Sequence, residues 1–288
     1  MKKLISVLLA ALTLVCCLGL AACSSTSGET ADGGAASDGS ESSNVFRVGM
    51  ECNYAPYNWA QTSPSDTAVA YANGYADGYD VQIAKRIADG LGKEFEIVQT
   101  EWDGLIPALN SGKVDAVIAG MSATEERKLS VDFSDNYYES QLVMVVRKDG
   151  PYADADSLSD FAGARITGQL NTFHYGVIDQ IEGVNKQTAM ETFPAMVVAL
   201  NSGKIDGYVS ERPGAISAVT ANPDLTYVEF AEGQGFEASP DDTSIAVAVK
   251  KGNTELLEQI NGILAEITPE EREELMNQAV ENQPLSEE

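Results

Sequence analysis

Ala108-Leu109-Asn110-Ser111-Gly112-Lys113-Val114-Asp115-Ala116 returns 91 residues later as Ala199-Leu200-Asn201-Ser202-Gly203-Lys204-Ile205-Asp206-Gly207, with seven identities in nine positions. Each copy reads as the end of a helix, a glycine turn and the start of a strand. The separation is too long for a solenoid repeat. Chance similarity in a common helix-turn-strand unit is hard to reconcile with seven identities. Two similar α/β lobes built around one unit fit better.

Working outward, strands and helices alternate on both sides of the repeat. Val45–Met50, 95–98, 114–119 and 142–146 read as strands. Val81, Ile83, Ala84, Ile87, Ala88 and Leu91 mark one helix face, and Leu105, Ile106 and Leu109 a short helix stopped by Gly112. The cycle then restarts. Residues 165–167, 184–187 and 205–210 are expected as strands and 172–181 as a helix. Thr192 is expected to cap a helix with Pro194 near its start, and Pro213 to open another. A late strand at 244–249 precedes two closing helices, the second announced by the capping box Thr268-Pro269-Glu270-Glu271. The reading is an α/β fold with largely parallel sheets.

In open sheets of this kind, ligands bind beyond the carboxyl ends of the strands. After Val117-Ile118-Ala119 comes Gly120-Met121-Ser122-Ala123-Thr124-Glu125-Glu126-Arg127. Ser122 is expected to cap a short helix whose first amides would suit an anion, and Arg127 to add a carboxylate clamp. After Tyr208-Val209-Ser210 comes Glu211, placed to face the same cleft from the other lobe. Arginine on one side and glutamate on the other suit a zwitterion, with α-carboxylate to Arg127 and α-ammonium to Glu211. The alternative, two unrelated surface salt bridges, does not account for their places after equivalent strands.

Composition narrows the function. Eighteen Lys+Arg against 44 Asp+Glu leave a formal net charge of −26. Nucleic-acid binding needs clustered basic residues, so it is excluded, as is a face for anionic lipid head groups. The 44% apolar content is that of a globular protein, and 288 residues make one large domain or two lobes. A single histidine, His174, excludes multi-histidine metal sites. No cofactor or metal is expected.

The amino terminus reads as a targeting segment. A basic start, Met1-Lys2-Lys3, precedes an apolar run from Leu4 to Leu20. Residues 1–22 then form a secretory signal, and Leu20-Ala21-Ala22-Cys23 resembles a bacterial lipobox whose cysteine is lipidated. The alternatives are a plain signal peptide with an incidental cysteine and a retained anchor, for which the run is short. Residues 23–44 carry no large apolar side chain and read as a flexible tether with a root-mean-square reach of roughly 25 Å. Cys16 and Cys17 leave with the signal, so Cys52 stands alone and is expected as a packed core thiol rather than a nucleophile.

Several stretches together resemble the extracellular amino-acid-binding proteins of ABC importers, the family 3 solute-binding proteins. Gly78-Tyr79-Asp80-Val81-Gln82-Ile83-Ala84-Lys85-Arg86-Ile87-Ala88 is similar to the family signature, with Gln82 in place of its second acid. Tyr54-Ala55-Pro56-Tyr57, residues 102–109, Ser122–Arg127 and the segment Val131-Asp132-Phe133-Ser134 with Tyr137-Tyr138 also match. The resemblance implies a two-lobed type II periplasmic-binding-protein-like fold with two hinge strands, near 139–142 and 242–244. Lobe 1 would comprise 45–140 and 244–288, and lobe 2 141–243.

It further implies a free amino acid trapped between closing lobes and delivery to a membrane permease. The protein would be a monomer, lipid-anchored at the outer face of the cell membrane. By resemblance, Arg127 takes the carboxylate place and Glu211 the ammonium place. Tyr54 and Trp102 are the aromatic walls, and Gly120 and Ser122 the strand-end contacts. Residues 169–174 are the second-lobe loop, usually Gln-x-Gly-Thr. There Thr172 keeps its place, Asn171 replaces the glycine, and His174 replaces a frequent glutamine.

Glu51 stands where the family reads the ligand's side chain. An acid there suits a cationic amino acid such as lysine, arginine or ornithine; a carboxylate satisfied by neighbouring amides is the alternative. A neutral polar amino acid or histidine is the second choice of ligand. A dehydratase-like enzyme on the same fold, with Glu51 or Glu211 as general acid, is the rival from another class.

Overall fold

The computed structural model describes residues 44–284. The signal segment, Cys23 and the tether up to residue 43 lie outside the described residues. Two five-stranded mixed sheets form the body. One has the order Glu94–Gln99, Val45–Met50, Ala116–Val117, Ser244–Lys250, Val131–Glu139. The other runs Asn185–Lys186, Arg165–Thr167, Gly207–Glu211, Leu142–Arg147, Leu225–Val228. In each, four strands point the same way and one, Ser244–Lys250 or Leu142–Arg147, is reversed between two of them. The expectation of largely parallel sheets holds for four strands of each five, and the reversed strand makes each sheet mixed. A strand buried on both faces has the same apolar run in either direction, so periodicity cannot tell them apart.

The nine-residue unit folds alike in both places. Lys113 N–H returns to Ala108 O and Lys204 N–H to Ala199 O, each at 2.9 Å. Gly112 and Gly203 take φ of 76° and 70°, the left-handed turn that lets the chain leave the helix and enter the strand. The aspartate of each unit grips an arginine on the neighbouring parallel strand. Asp115 accepts from Arg47 Nε and Nη2 at 3.1 and 2.8 Å, and Asp206 from Arg165 Nε and Nη2 at 2.9 and 2.6 Å. Each aspartate also accepts its arginine's backbone N–H at 2.9 Å. The clamp fixes register where the strands begin.

The chain passes between the sheets twice, and the two passages are bonded to each other. Ser140 N–H donates to Thr243 O at 2.9 Å, and Glu139 pairs with Ser244. A smaller antiparallel sheet, Asn53–Tyr54, Asn58–Gln61, Gly74–Asp77 and Val69–Tyr71, was not expected from the sequence; its strands are short, and only the segments nearest the core are buried. The expected strand 114–119 pairs only at Ala116–Val117, although its neighbours are buried. The expected helix 172–181 divides into a turn of α-helix, Phe173–Gly176, and a 3-10 turn, Val177–Gln180, with Gly176 at the break.

Helix Tyr79–Gly90 buries the apolar face read from its sequence, and Asp80 in its first turn faces inward. Gly78 before it is obligatory: its φ is 126°, and a Cβ there would lie 2.4 Å from Tyr57 O. The helices Thr254–Glu266 and Pro269–Asn282 close the chain, the second with the expected capping box between Thr268 and Glu271. At its end Gln283 is buried and reaches helix Arg212–Ala221, where its amide oxygen accepts from Ser217 Oγ. No helix among the described residues is long and apolar enough to cross a membrane.

Candidate functional site

The residues after the two repeat strands meet. Arg127 lies on the single-turn helix Glu125–Lys128. Its cap is Thr124, whose hydroxyl accepts from Arg127 N–H at 3.4 Å; the expected cap, Ser122, instead pairs with Ile245 as an isolated bridge. Thr124 has the extended backbone and the N3 spacing a cap requires, and Ser122 is still part of the sheet edge. Arg127 Nη1 donates to Ser122 O at 3.0 Å and Nη2 to Asn171 O at 3.4 Å, and the guanidinium lies 4.9 Å from the centroid of Trp102. Carbonyls and an aromatic face do not neutralise it. Among the described residues Arg127 has no ion pair, and desolvation lowers its pKa to about 10.

Opposite it are acids. Glu211 ends strand Gly207–Glu211 and is 1% exposed. Its Oε2 accepts from Tyr57 Oη at 2.8 Å; its Oε1 is 3.3 Å from His174 Nε2 without hydrogen-bond alignment. Glu51, 2% exposed, follows strand Val45–Met50, and its Oε1 accepts from Gln169 Nε2 at 3.3 Å. Burial, the largest cause, pushes Glu51 up to about 8. Behind them Asp80 accepts from Tyr137 Oη at 2.6 Å and Asn58 Nδ2 at 2.8 Å, and burial raises it to about 7 despite those bonds.

Tyr54, Trp102, Gly120, Ser122, Arg127, Thr172 and His174 line one small, nearly filled cavity. Glu51 and Glu211 are not among its lining residues; they flank it through Gln169 and His174. Gln169, Phe173 and Phe193 complete the lining. These three were not singled out from the sequence. Phe193 stacks on Tyr54 at 4.2 Å, but an aromatic at the start of an apolar helix reads as core. Gln169 carried a signal, since it opens the loop that the family resemblance marks.

Two positions here have left-handed backbone. Gly120 has φ 59°, and a Cβ would sit 3.0 Å from Tyr54 Cε1, so a serine there would press on the tyrosine wall. Asn171 has φ 56°, a left-handed conformation that asparagine tolerates better than most residues. It also bridges the lobes: its Nδ2 donates to Asp103 at 2.9 Å, and its carbonyl accepts from Trp102 Nε1 at 3.4 Å. Thr172 Oγ1 donates to Gln169 O at 2.7 Å, holding its own loop.

Several buried polar atoms here have no hydrogen-bond partner: Glu51 Oε2, Tyr54 Oη, both ring nitrogens of His174 and Glu211 Oε1. Buried polar groups are normally paired, so this concentration marks a place built for a polar ligand. Among the described residues no cluster of His, Cys, Asp and Glu is arranged to hold a metal ion. Cys52 is buried, and desolvation pushes its thiol up to about 12, far from the thiolate a nucleophile needs.

Comparison with known proteins identifies the family. Residues 46–281 match the model of the bacterial extracellular solute-binding proteins, family 3. A probable histidine-binding protein of Campylobacter jejuni is 34% identical over 241 residues, 82% of this chain and 85% of that protein. The ABC transporter arginine-binding protein 1 of Escherichia coli is 30% identical, covering 68% of this chain and 78% of its own. Among solved structures, an ancestral arginine-binding protein bound to arginine superposes with a TM-score of 0.68 at 34% identity, over 82% of this chain and 97% of that one. A Streptococcus pneumoniae amino acid ABC transporter substrate-binding protein bound to L-arginine gives 0.70 at 26%, over 83% and 95%. Members of this family bind solutes for transport, which answers the enzyme alternative. With the two-lobed fold and the matched span, the chain belongs to the bacterial extracellular solute-binding proteins, family 3, and is the amino-acid-binding component of an ABC importer.

Proposed function

We propose that the protein captures a cationic amino acid, arginine, lysine or ornithine, between its lobes. The observation that carries this is the charge balance of the cleft. Glu51 and Glu211 are buried beside a cavity lined by Arg127, the one cation among its described lining residues other than His174. A ligand with one carboxylate and two cationic groups gives Arg127, Glu211 and Glu51 one opposite charge each. Its α-carboxylate pairs with Arg127, its α-ammonium with Glu211, and its side-chain cation with the unpartnered Oε2 of Glu51. An unpaired buried charge is costly, so each of these pairings also discriminates.

Tyr54 and Trp102 wall the cleft, Gly120 and Ser122 bound the strand end, and Thr172 and His174 close it from the second lobe. The lobes are taken as 45–140 with 244–288, and 141–243. Contacts such as Asn171 to Asp103 and Gln169 to Glu51 join them and would form only on closure, so ligand selects the closed population. Arginine-binding relatives support the cationic reading. Histidine is the second reading, favoured by the names of the Campylobacter and Neisseria relatives.

The test is a calorimetric panel of amino acids on wild type and Glu51→Gln. Preference of the wild type for neutral or acidic amino acids, or an unchanged ranking in the variant, sinks the cationic assignment. The lipid anchor is proposed at Cys23, with the folded body a monomer at the outer face of the membrane. Cys23→Ser should move the protein out of the membrane fraction, because no second anchor is proposed.

A further inference from the structure

We infer that His174 is a pH gate on ligand capture, competing when protonated with the ligand's ammonium for one oxygen of Glu211. The inference rests on the reading that Glu211 receives the ammonium. Glu211 has two carboxylate oxygens, and Tyr57 Oη already occupies Oε2 at 2.8 Å. The remaining acceptor, Oε1, has no hydrogen bond and lies 3.3 Å from His174 Nε2. Both side chains are buried, at 7% and 1% exposure, so solvent does not screen the contact.

A neutral imidazole leaves Oε1 to the ammonium. An imidazolium pairs with it and also sets a second positive charge beside the ammonium site. Histidine is the side-chain type that exchanges neutral and charged forms at mild pH, which sets the window of the test. The other charged and titratable groups around the pair are Arg127 across the cavity, Tyr54 and Tyr57 at the first hairpin of the small sheet, Tyr138 beside Tyr57, Tyr208 on the Glu211 strand, and Glu51 and Asp80 behind. Among the described residues no carboxylate other than Glu211 reaches the imidazole within ion-pair distance.

The chain has one histidine, so its resonance can be assigned without ambiguity in tag-free protein. The experiment measures L-arginine affinity by calorimetry from pH 7.5 to 5.0 for wild type and His174→Gln, and follows the imidazole proton resonance of wild type with and without arginine. Wild type should lose about tenfold more affinity on acidification than the variant. Glu51 and Asp80 are present in both proteins, so the difference isolates His174.

By linkage, the imidazole should titrate at lower pH with arginine bound than without it. Parallel affinity profiles, or an imidazole titration indifferent to ligand, would overturn the gate. If wild type binds only a neutral amino acid, the cationic reading fails, and the same two measurements with that amino acid still decide the gate, since every α-amino acid carries the ammonium. Absence of binding by any amino acid overturns both.

Discussion

Asp115 holds Arg47 in one sheet as Asp206 holds Arg165 in the other, and the same glycine turn precedes both. The two units diverge after their strands. In the first, the chain runs past Gly120 to Arg127, on a short helix that leaves the guanidinium half-buried over Trp102. In the second, the strand itself ends in Glu211, buried and held by Tyr57. One scaffold used twice thus delivers opposite charges to one cleft. The shared part sets register, and the unshared part sets chemistry.

The comparison can be broken at its chemical ends first. Arg127→Ala should cost about 2–5 kcal/mol of ligand binding, on the order of 30- to several-thousand-fold, because it strands a carboxylate in a desolvated site. Calorimetry showing less than about threefold loss would put the carboxylate elsewhere. Glu211→Gln should weaken every α-amino acid, whatever its side chain; a loss confined to cationic ligands would assign Glu211 to side-chain reading instead. Glu51→Gln should do the reverse. It should cost cationic ligands about 2 kcal/mol, the low end of the same range because Gln169 already engages one oxygen, and leave neutral ones nearly unaffected.

Glu51 also predicts a pH effect on stability without ligand. Its folded-state pKa is raised to about 8, and that of Asp80 to about 7, so the folded protein holds protons that the unfolded chain releases. Stability should therefore fall as pH rises from about 5 to 8. Melting curves across that range check it: Glu51→Gln should flatten the fall, and a rise in stability would contradict the assignment.

The smallest effects on binding belong to the shared clamps. Asp206→Ala should lower the denaturation midpoint more than Asp115→Ala. Asp206 is the more buried, at 13% against 30% exposure, and it also lies 3.8 Å from Arg147. Both variants should keep ligand affinity within about threefold, since the clamps are distant from the cleft chemistry. A large affinity loss in either would show that register at the strand start reaches the site.

The repeat, the alternation of elements, the capping box at Thr268 and the charged residues after equivalent strands were all legible in the sequence. Each is a local pattern: a period, a turn residue or a fixed offset, and local patterns survive without coordinates. The reversed direction of Ser244–Lys250 and Leu142–Arg147 was not legible, because buried apolar runs look alike in parallel and antiparallel pairing. The small sheet from Asn53 to Asp77 was missed for a related reason, as its short strands carry no sustained alternation.

Which side chains share the cleft was decided only by tertiary structure. Glu51 and Gln169 are 118 positions apart and Tyr57 and Glu211 are 154, yet both pairs meet within hydrogen-bond distance. No periodicity encodes such contacts; they follow from how two sheets meet across a pair of bonded crossings. The cap at Thr124 rather than Ser122 is the same lesson on a small scale, because pairing with Ile245 holds Ser122 in the sheet. The sequence by itself determined that one α/β unit is used twice and that opposite charges follow its two strands. Burial decided the rest: it left Arg127 without a carboxylate, raised Glu51, and turned one oxygen of Glu211 toward a histidine, because only packing sets which charges lose their water.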